Sequence, residues 1–195
     1  MRERKGADMI FRQAKTADLD AVMAVIEDGR TTLANLGLDQ WQGSEPSRET
    51  IASDISNGFS YLVADDADET VLATVCFWDC GEPDYDRVIS GAWLTDSPNS
   101  QEAARGSGAP ITYAALHRLA SCAASRRKGV ASFMIRSCFD LAYKKGLASV
   151  RADTHAGNVP MQRTFEKLGM TRCCEVLISN PTEATKLRIG YEMAL

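Results

Sequence analysis

Residues 117–131 of this chain, His-Arg-Leu-Ala-Ser-Cys-Ala-Ala-Ser-Arg-Arg-Lys-Gly-Val-Ala, constrain its fold more than any other stretch. A short apolar strand pattern ends there, a basic turn carrying Gly129 follows, and an amphipathic helix begins at once. A helix that starts on such a turn offers unpaired backbone N–H groups and the positive end of its dipole to whatever lies above. That arrangement favours a phosphorylated ligand. The helix is expected over Val130 to Lys145, with Val130, Phe133, Met134, Cys138 and Leu141 along one face and Gly146 after its end.

The rest of the chain alternates short strands with helices. Met9 to Gln13 reads as a strand, and Thr16 as the N-cap of a helix with Leu19, Val22, Met23 and Ile26 at helical spacing. Gly29 and Thr31-Thr32 should interrupt that helix, with a further helical stretch to Gly37. Residues 39–46 form a loop, and Ser47 caps a short helix through Ile51 and Ile55. Phe59 to Ala64 and Val71 to Trp78 read as strands about an acidic turn. Residues 80–110 are irregular, with a strand pattern at Arg87 to Trp93. Ile111 to Ser121 and Ala148 to Asp153 read as strands, and Asn158 opens a helix carrying Pro160 in its first turn. Met170 to Ile178 and Lys186 to Met193 are the last two strands. The pattern is α/β, one sheet with helices on its faces.

Composition narrows the function. The chain has 195 residues, 45% of them hydrophobic, enough for one core, and a net charge of −4 that argues against nucleic acid as a partner. Arg126, Arg127 and Lys128 therefore make a basic patch on an acidic protein, suited to a small anionic ligand. The six cysteines have neither disulfide-framework nor zinc-ligand spacing and read as buried thiols of a reducing compartment. No apolar run is long enough for a membrane span, and the charged residues 1–8, expected to be a flexible tail ahead of a domain over 9–195, have no apolar stretch behind them. The expectation is a cytoplasmic protein with no metal.

The hexapeptide Arg126-x-x-Gly129-x-Ala131 is neither a Walker A loop nor a dinucleotide glycine motif. It resembles the acetyl-CoA-binding motif of the GCN5-related N-acetyltransferase (GNAT) family, Arg/Gln-x-x-Gly-x-Gly/Ala, preceded by a strand ending like His117-Arg118-Leu119-Ala120-Ser121. Asp153-Thr154-His155, Asn158, Met161-Gln162 and Phe165-Glu166-Lys167-Leu168-Gly169-Met170 are similar to the family's second signature. Asp39-Gln40-Trp41-Gln42 and Pro46-Ser47 are similar to a bacterial branch of small members. The resemblance runs over residues 9–195.

The resemblance implies a mixed, mostly antiparallel twisted sheet flanked by helices, and transfer of an acetyl group from acetyl-CoA to a primary amine of a small molecule. Leu119, Ala120 and Ser121 would offer backbone groups to the pantetheine arm. Arg126, Arg127, Lys128, Gly129, Val130 and Ala131 would hold the pyrophosphate. Asn158 and Phe165 would lie near the thiol end, where two neighbouring strands diverge. Arg127 stands where a glycine is common. Phe165 stands where many members have a tyrosine that protonates the departing thiolate, and a phenylalanine has no proton to give.

Direct attack needs a group to take the amine's proton. Asn158, His155 and Glu82 are the catalytic candidates. Glu82 belongs to an acidic group with Asp84 and Asp86 that reads equally as a solvated loop, and His117 reads as structural. Tyr85 and Tyr113 are candidate proton donors. Trp41 and Trp93 belong either to the acceptor pocket or to the core. The missing tyrosine keeps a second reading open, a non-catalytic acyl-CoA-binding or interaction module. The oligomeric state stays open, a homodimer among the options.

Overall fold

The computed structural model describes residues 9–195, so the expected tail at 1–8 lies outside the described residues. Eight strands form one sheet: β1 (Met9–Gln13), β2 (Ser60–Asp65), β3 (Val71–Trp78), β4 (Val88–Gly91), β5 (Tyr113–Ser121), β6 (Ser149–His155), β7 (Thr171–Leu177) and β8 (Leu187–Ala194). Their order is β1-β2-β3-β5-β6-β8-β7-β4, with β5 and β6 parallel and every other pair antiparallel. The helices are α1 (Leu19–Asn35), α2 (Arg48–Ser56), α3 (Gln101–Ser107), α4 (Val130–Lys144) and α5 (Val159–Lys167).

Both faces of the sheet are covered. Val130, Met134, Ile135 and Cys138 of α4 and Phe165 of α5 pack on Val75, Phe77, Leu116 and Ala152. Val22, Val25 and Ile26 of α1 and Ile51 and Ile55 of α2 pack on Leu62, Ala64 and Ala120. A third cluster, Tyr85, Tyr113, Ala115, Cys174 and Val176, closes the β4 end. Among the described residues no helix is long and apolar enough to cross a membrane.

Three expectations about elements change. Gly29 does not interrupt α1, which runs unbroken past it. A Cβ there would sit 2.9 Å from the Trp41 ring and 3.2 Å from the Ala120 methyl, so the glycine makes room for packing rather than ending a helix. Thr16 is no cap. Asp18 accepts the Lys15 amide at 2.7 Å and both arms of Arg12 at 2.7 and 2.8 Å, and a short 3-10 turn over 16–18 leads into α1. The irregular stretch contains α3, capped by the Ser100 hydroxyl, which accepts the Ala103 amide at 3.0 Å. It is fastened by Arg151, whose guanidinium lies 4.7 and 4.1 Å from the Trp93 and Tyr113 ring centroids and donates to Asn99 Oδ1 at 2.7 Å and Thr95 O at 2.5 Å.

Candidate active site

The site begins where β5 and β6 part. They pair from Tyr113 to Leu116 against Ser149 to Ala152. Beyond that, β5 continues to Ser121 paired only with β3, and β6 continues to His155 paired only with β8. The β5 edge at 117–121 therefore has no neighbouring strand on the β6 side. On its other side a bulge shifts the register: Thr74 faces Ala120 but Cys76 faces His117, so Val75 stands against both Arg118 and Leu119. Arg118 takes φ +52 there, a region unfavourable for a residue with a Cβ. Its guanidinium donates to the Asp54 carboxylate at 2.6 and 2.9 Å and to Cys76 Sγ at 3.2 Å, which holds the bulge against α2. A cavity of about 760 Å³ opens along this gap.

One end of the cavity is built for anions. Gly129 caps α4 at φ +83 with no side-chain hydrogen bond, so the first-turn amides of Val130, Ala131 and Ser132 are left for a ligand. Arg127 also adopts a positive φ, +61, which accounts for a preference for glycine at that position. Arg126 and Arg127 line this end, and Lys167 lines the same cavity. Arg126 Nη2 donates to Thr32 Oγ1 at 2.5 Å, bringing α1 against the turn. A Cβ on Gly129 would meet nothing within 4 Å, so the space above the turn is open. Coenzyme A fits this set: free amides and cations for a diphosphate, then an unpaired strand edge for an extended amide-bearing arm.

The other end is acidic and roofed. Glu82, Asp84, Tyr85, His117, Asp153 and Glu183 line it, with Arg188 at its floor. Residues 36–47 form part of the roof, held by Arg30, which donates to the carbonyls of Trp41 at 2.6 Å, Gly43 at 3.0 Å and Pro46 at 2.5 Å. That loop is tied to the β7–β8 connection: the Trp41 amide donates to Glu183 Oε1 at 3.1 Å and the Thr185 amide to Asp39 Oδ2 at 2.6 Å.

His117 Nε2 lies 3.1 Å from Glu82 Oε2 but off the line of a hydrogen bond, so this buried nitrogen has no hydrogen-bond partner among the described residues. Burial pushes the Glu82 carboxyl up, but the His117 ring, the Asp84 amide and Arg118 together outweigh it and hold Glu82 below the usual carboxylate range. Asp153 goes the other way: burial raises it, despite the charges of His117 and Arg188 and the hydrogen bond from Tyr85. Tyr85 donates to Asp153 Oδ1 at 3.0 Å, and burial pushes its hydroxyl far above the usual tyrosine range.

Most of the expected site residues meet in this one cavity. Leu119, Ala120, Ser121, Arg126, Arg127, Gly129, Val130, Ala131, Asn158, Phe165 and Glu82 all line it; Lys128 and His155 do not. His155 Nδ1 accepts the Gly157 amide at 2.9 Å and Nε2 faces Asp39 at 3.6 Å, so its two nitrogens serve loop structure. His117, expected to be structural, stands on the cavity wall, whereas His155, a catalytic candidate, does not. Asn158 spends its side chain on α5, accepting the Met161 amide at 3.3 Å and donating to Thr154 Oγ1 at 3.1 Å. Trp41 lines the cavity, whereas Trp93 packs on Tyr85 at 4.6 Å. Glu183 and Arg188, which also line the cavity, carry no local signature, and Gln40 stands in the Asp39–Gln42 stretch that the sequence marks without giving it a role. The sequence reading also passed over Lys167, which the Phe-Glu-Lys-Leu-Gly motif places on the last turn of α5.

Residues 30–170 match the sequence profile of the Acetyltransferase (GNAT) family. A GNAT-family acetyltransferase from Streptococcus agalactiae is 28% identical and superposes with a TM-score of 0.79, covering 96% of this chain and 95% of that one. One from Listeria monocytogenes is 15% identical, TM-score 0.66, over 96% and 95%. The ribosomal-protein-S18-alanine N-acetyltransferase from Escherichia coli is 14% identical, TM-score 0.62, over 96% and 94%. The last two bear on fold alone. No curated protein sequence matches.

Proposed function

The chain belongs to the Acetyltransferase (GNAT) family, and from that premise we propose that it transfers an acetyl group from acetyl-CoA to a primary amine of a small molecule by direct attack in a ternary complex. The carrying observation is the division of charge along one cavity. Arg126, Arg127 and the α4 amides make one end positive, and Glu82, Asp84, Asp153 and Glu183 outnumber Arg118 and Arg188 at the other. An anionic cofactor and a cationic amine are thereby drawn to opposite ends, with the strand gap between them.

Acetyl-CoA would supply an acetyl group already activated as a thioester. The first-turn amides of α4 with Arg126 and Arg127 would bind its diphosphate, and the free β5 edge at Leu119–Ser121 would align its arm as an added strand. The incoming amine arrives as an ammonium and must lose a proton before it can attack. Glu82, held ionised, accepts that proton. Tyr85 is the one tyrosine lining the cavity among the described residues, but its hydroxyl already donates to Asp153 and burial makes it a weaker acid, so it does not replace the group that Phe165 lacks.

Phe165, 2% exposed and packed on Tyr191, is also the observation that favours the second reading, a module that binds acyl-CoA without turnover. Thiol release from acetyl-CoA against a panel of primary amines separates the two. Turnover that falls about a hundredfold or more in Glu82→Gln is expected for the enzyme. Saturable cofactor binding with no thiol release for any amine identifies the module.

A further inference from the structure

The acidic end says more about the acceptor than that it is an amine. Its cations are already engaged. The Arg188 guanidinium donates to Thr185 O at 2.8 Å, to Leu187 O at 3.0 Å and to Glu183, with Asp153 at 3.9 Å, and its side chain is 1% exposed. Arg118 is bound by Asp54. Around the rim, Lys186 donates to the carbonyls of Asn180 and Glu183, and Arg87 donates to Ser179 Oγ at 2.8 Å beside Asp84. An acceptor carrying a carboxylate would find these cations bound to other groups while facing Glu82 and Asp153. Like charges brought together in a partly desolvated site weaken binding strongly.

A second, independent feature is Gln40. It lines the cavity on the roof loop, and its Oε1 is buried with no hydrogen-bond partner among the described residues. A buried acceptor left unmatched is costly, so it calls for a donor from the bound molecule.

Building on the acetyl-transfer reading above, we propose that the acceptor is a carboxylate-free amine with a second hydrogen-bond donor, a diamine being its simplest form. One nitrogen sits at Glu82 and His117, and the second donor answers Gln40. The site thus selects by what it lacks, a free cation, as much as by what it offers.

Matched pairs test this on the full chain loaded with coenzyme A. Cadaverine and lysine differ by one carboxylate, as do tyramine and tyrosine; cadaverine and n-pentylamine differ by one ammonium. Calorimetric affinities, and kcat/KM with acetyl-CoA, are expected to favour the carboxylate-free member of each of the first two pairs about tenfold or more. Cadaverine should exceed pentylamine several-fold, and Gln40→Met should close that gap. Lysine or tyrosine binding as well as its partner overturns the proposal, as does pentylamine matching cadaverine in the wild type, or no binding of cadaverine at millimolar concentration. If these binding preferences hold but no amine releases thiol, the proposal survives and the acetyl-transfer reading falls.

Discussion

Replacing Gly129 with valine separates the anion-binding role of the turn from its role in folding. Gly129 has φ +83, and a Cβ built there meets nothing within 4 Å. The free protein therefore suffers no clash and bears only the conformational cost of a side chain in the left-handed region, about 1–2 kcal/mol. In a chain of this length that lowers Tm by about 2–8 °C. The open space above Gly129 is where a diphosphate must come to reach the amides of Val130 and Ala131, and the valine methyls would occupy it. Loss of even one charge-assisted amide bond removes about 1.5–3 kcal/mol, which weakens coenzyme A by about tenfold to 150-fold. Gly146→Val is the control, because Gly146 also has positive φ, +73, and open space, but lies beyond the far end of α4. Both variants should lose similar Tm, and only Gly129→Val should lose affinity in calorimetric titration at fixed ionic strength. A Gly129→Val protein that binds coenzyme A within about threefold of wild type would refute the reasoning.

Gly29→Ala gains about 0.5–1 kcal/mol of helix propensity but crowds the Trp41 ring at 2.9 Å, an overpacking cost of about 1–3 kcal/mol. Net destabilisation in urea unfolding and a raised acceptor KM are expected, and a more stable protein with unchanged KM contradicts the packing argument. Asp54→Ala leaves Arg118 unpaired on the bulge; the partly exposed pair should cost about 2–3 kcal/mol, a fall of about 4–12 °C in Tm, with weaker cofactor binding by calorimetry. Asp18 is held below its ordinary value of 3.8, chiefly by its hydrogen bond from Arg12, so it contributes stability that is full above that value and lost as pH falls through the folded-state pKa. Asp18→Asn should therefore cost about 1 kcal/mol at pH 7 and progressively less below about pH 4, and a pH-independent difference in denaturant unfolding rejects the linkage.

What the sequence disclosed follows from the range of the interactions involved. The α4 turn was legible because its chemistry is contiguous: basic residues, Gly129 and the helix face lie within a few positions of one another. Ser47 and Asn158 were legible as helix starts because a cap acts over three residues, Ser47 accepting the Thr50 amide at 3.1 Å and Asn158 the Met161 amide at 3.3 Å. The acceptor end was legible only as separate candidates, Glu82, Tyr85 and Trp41, and not as one site. Gln40 and Trp41 come from the α1–α2 loop, Glu82 from the β3–β4 connection, and Glu183 and Arg188 from near the chain's end. Their joining contacts, such as the Trp41 amide on Glu183, span 142 residues, and no local periodicity records them.

The bulge at Arg118 is the one local feature on which both halves of the site depend. Before it, Tyr113 and Ala115 face the β4-end cluster while Ala114 and Leu116 face α4. Strict alternation would then send Ala120 toward α4 as well. Instead Ala120 packs with α1 and α2, and Leu119 packs on the α4 side. One extra residue has exchanged the faces of the strand. His117, ahead of the exchange, keeps the parity of Tyr113 and reaches Glu82, while the strand beyond it bends away from β6 with its edge unpaired. An alternating pattern over 111–121 predicts a regular strand with no such division. The strain of a left-handed arginine is tolerated because Asp54 and Cys76 bind its guanidinium, so a helix on the opposite side of the sheet from α4 fixes where the acceptor end stops and the cofactor edge begins.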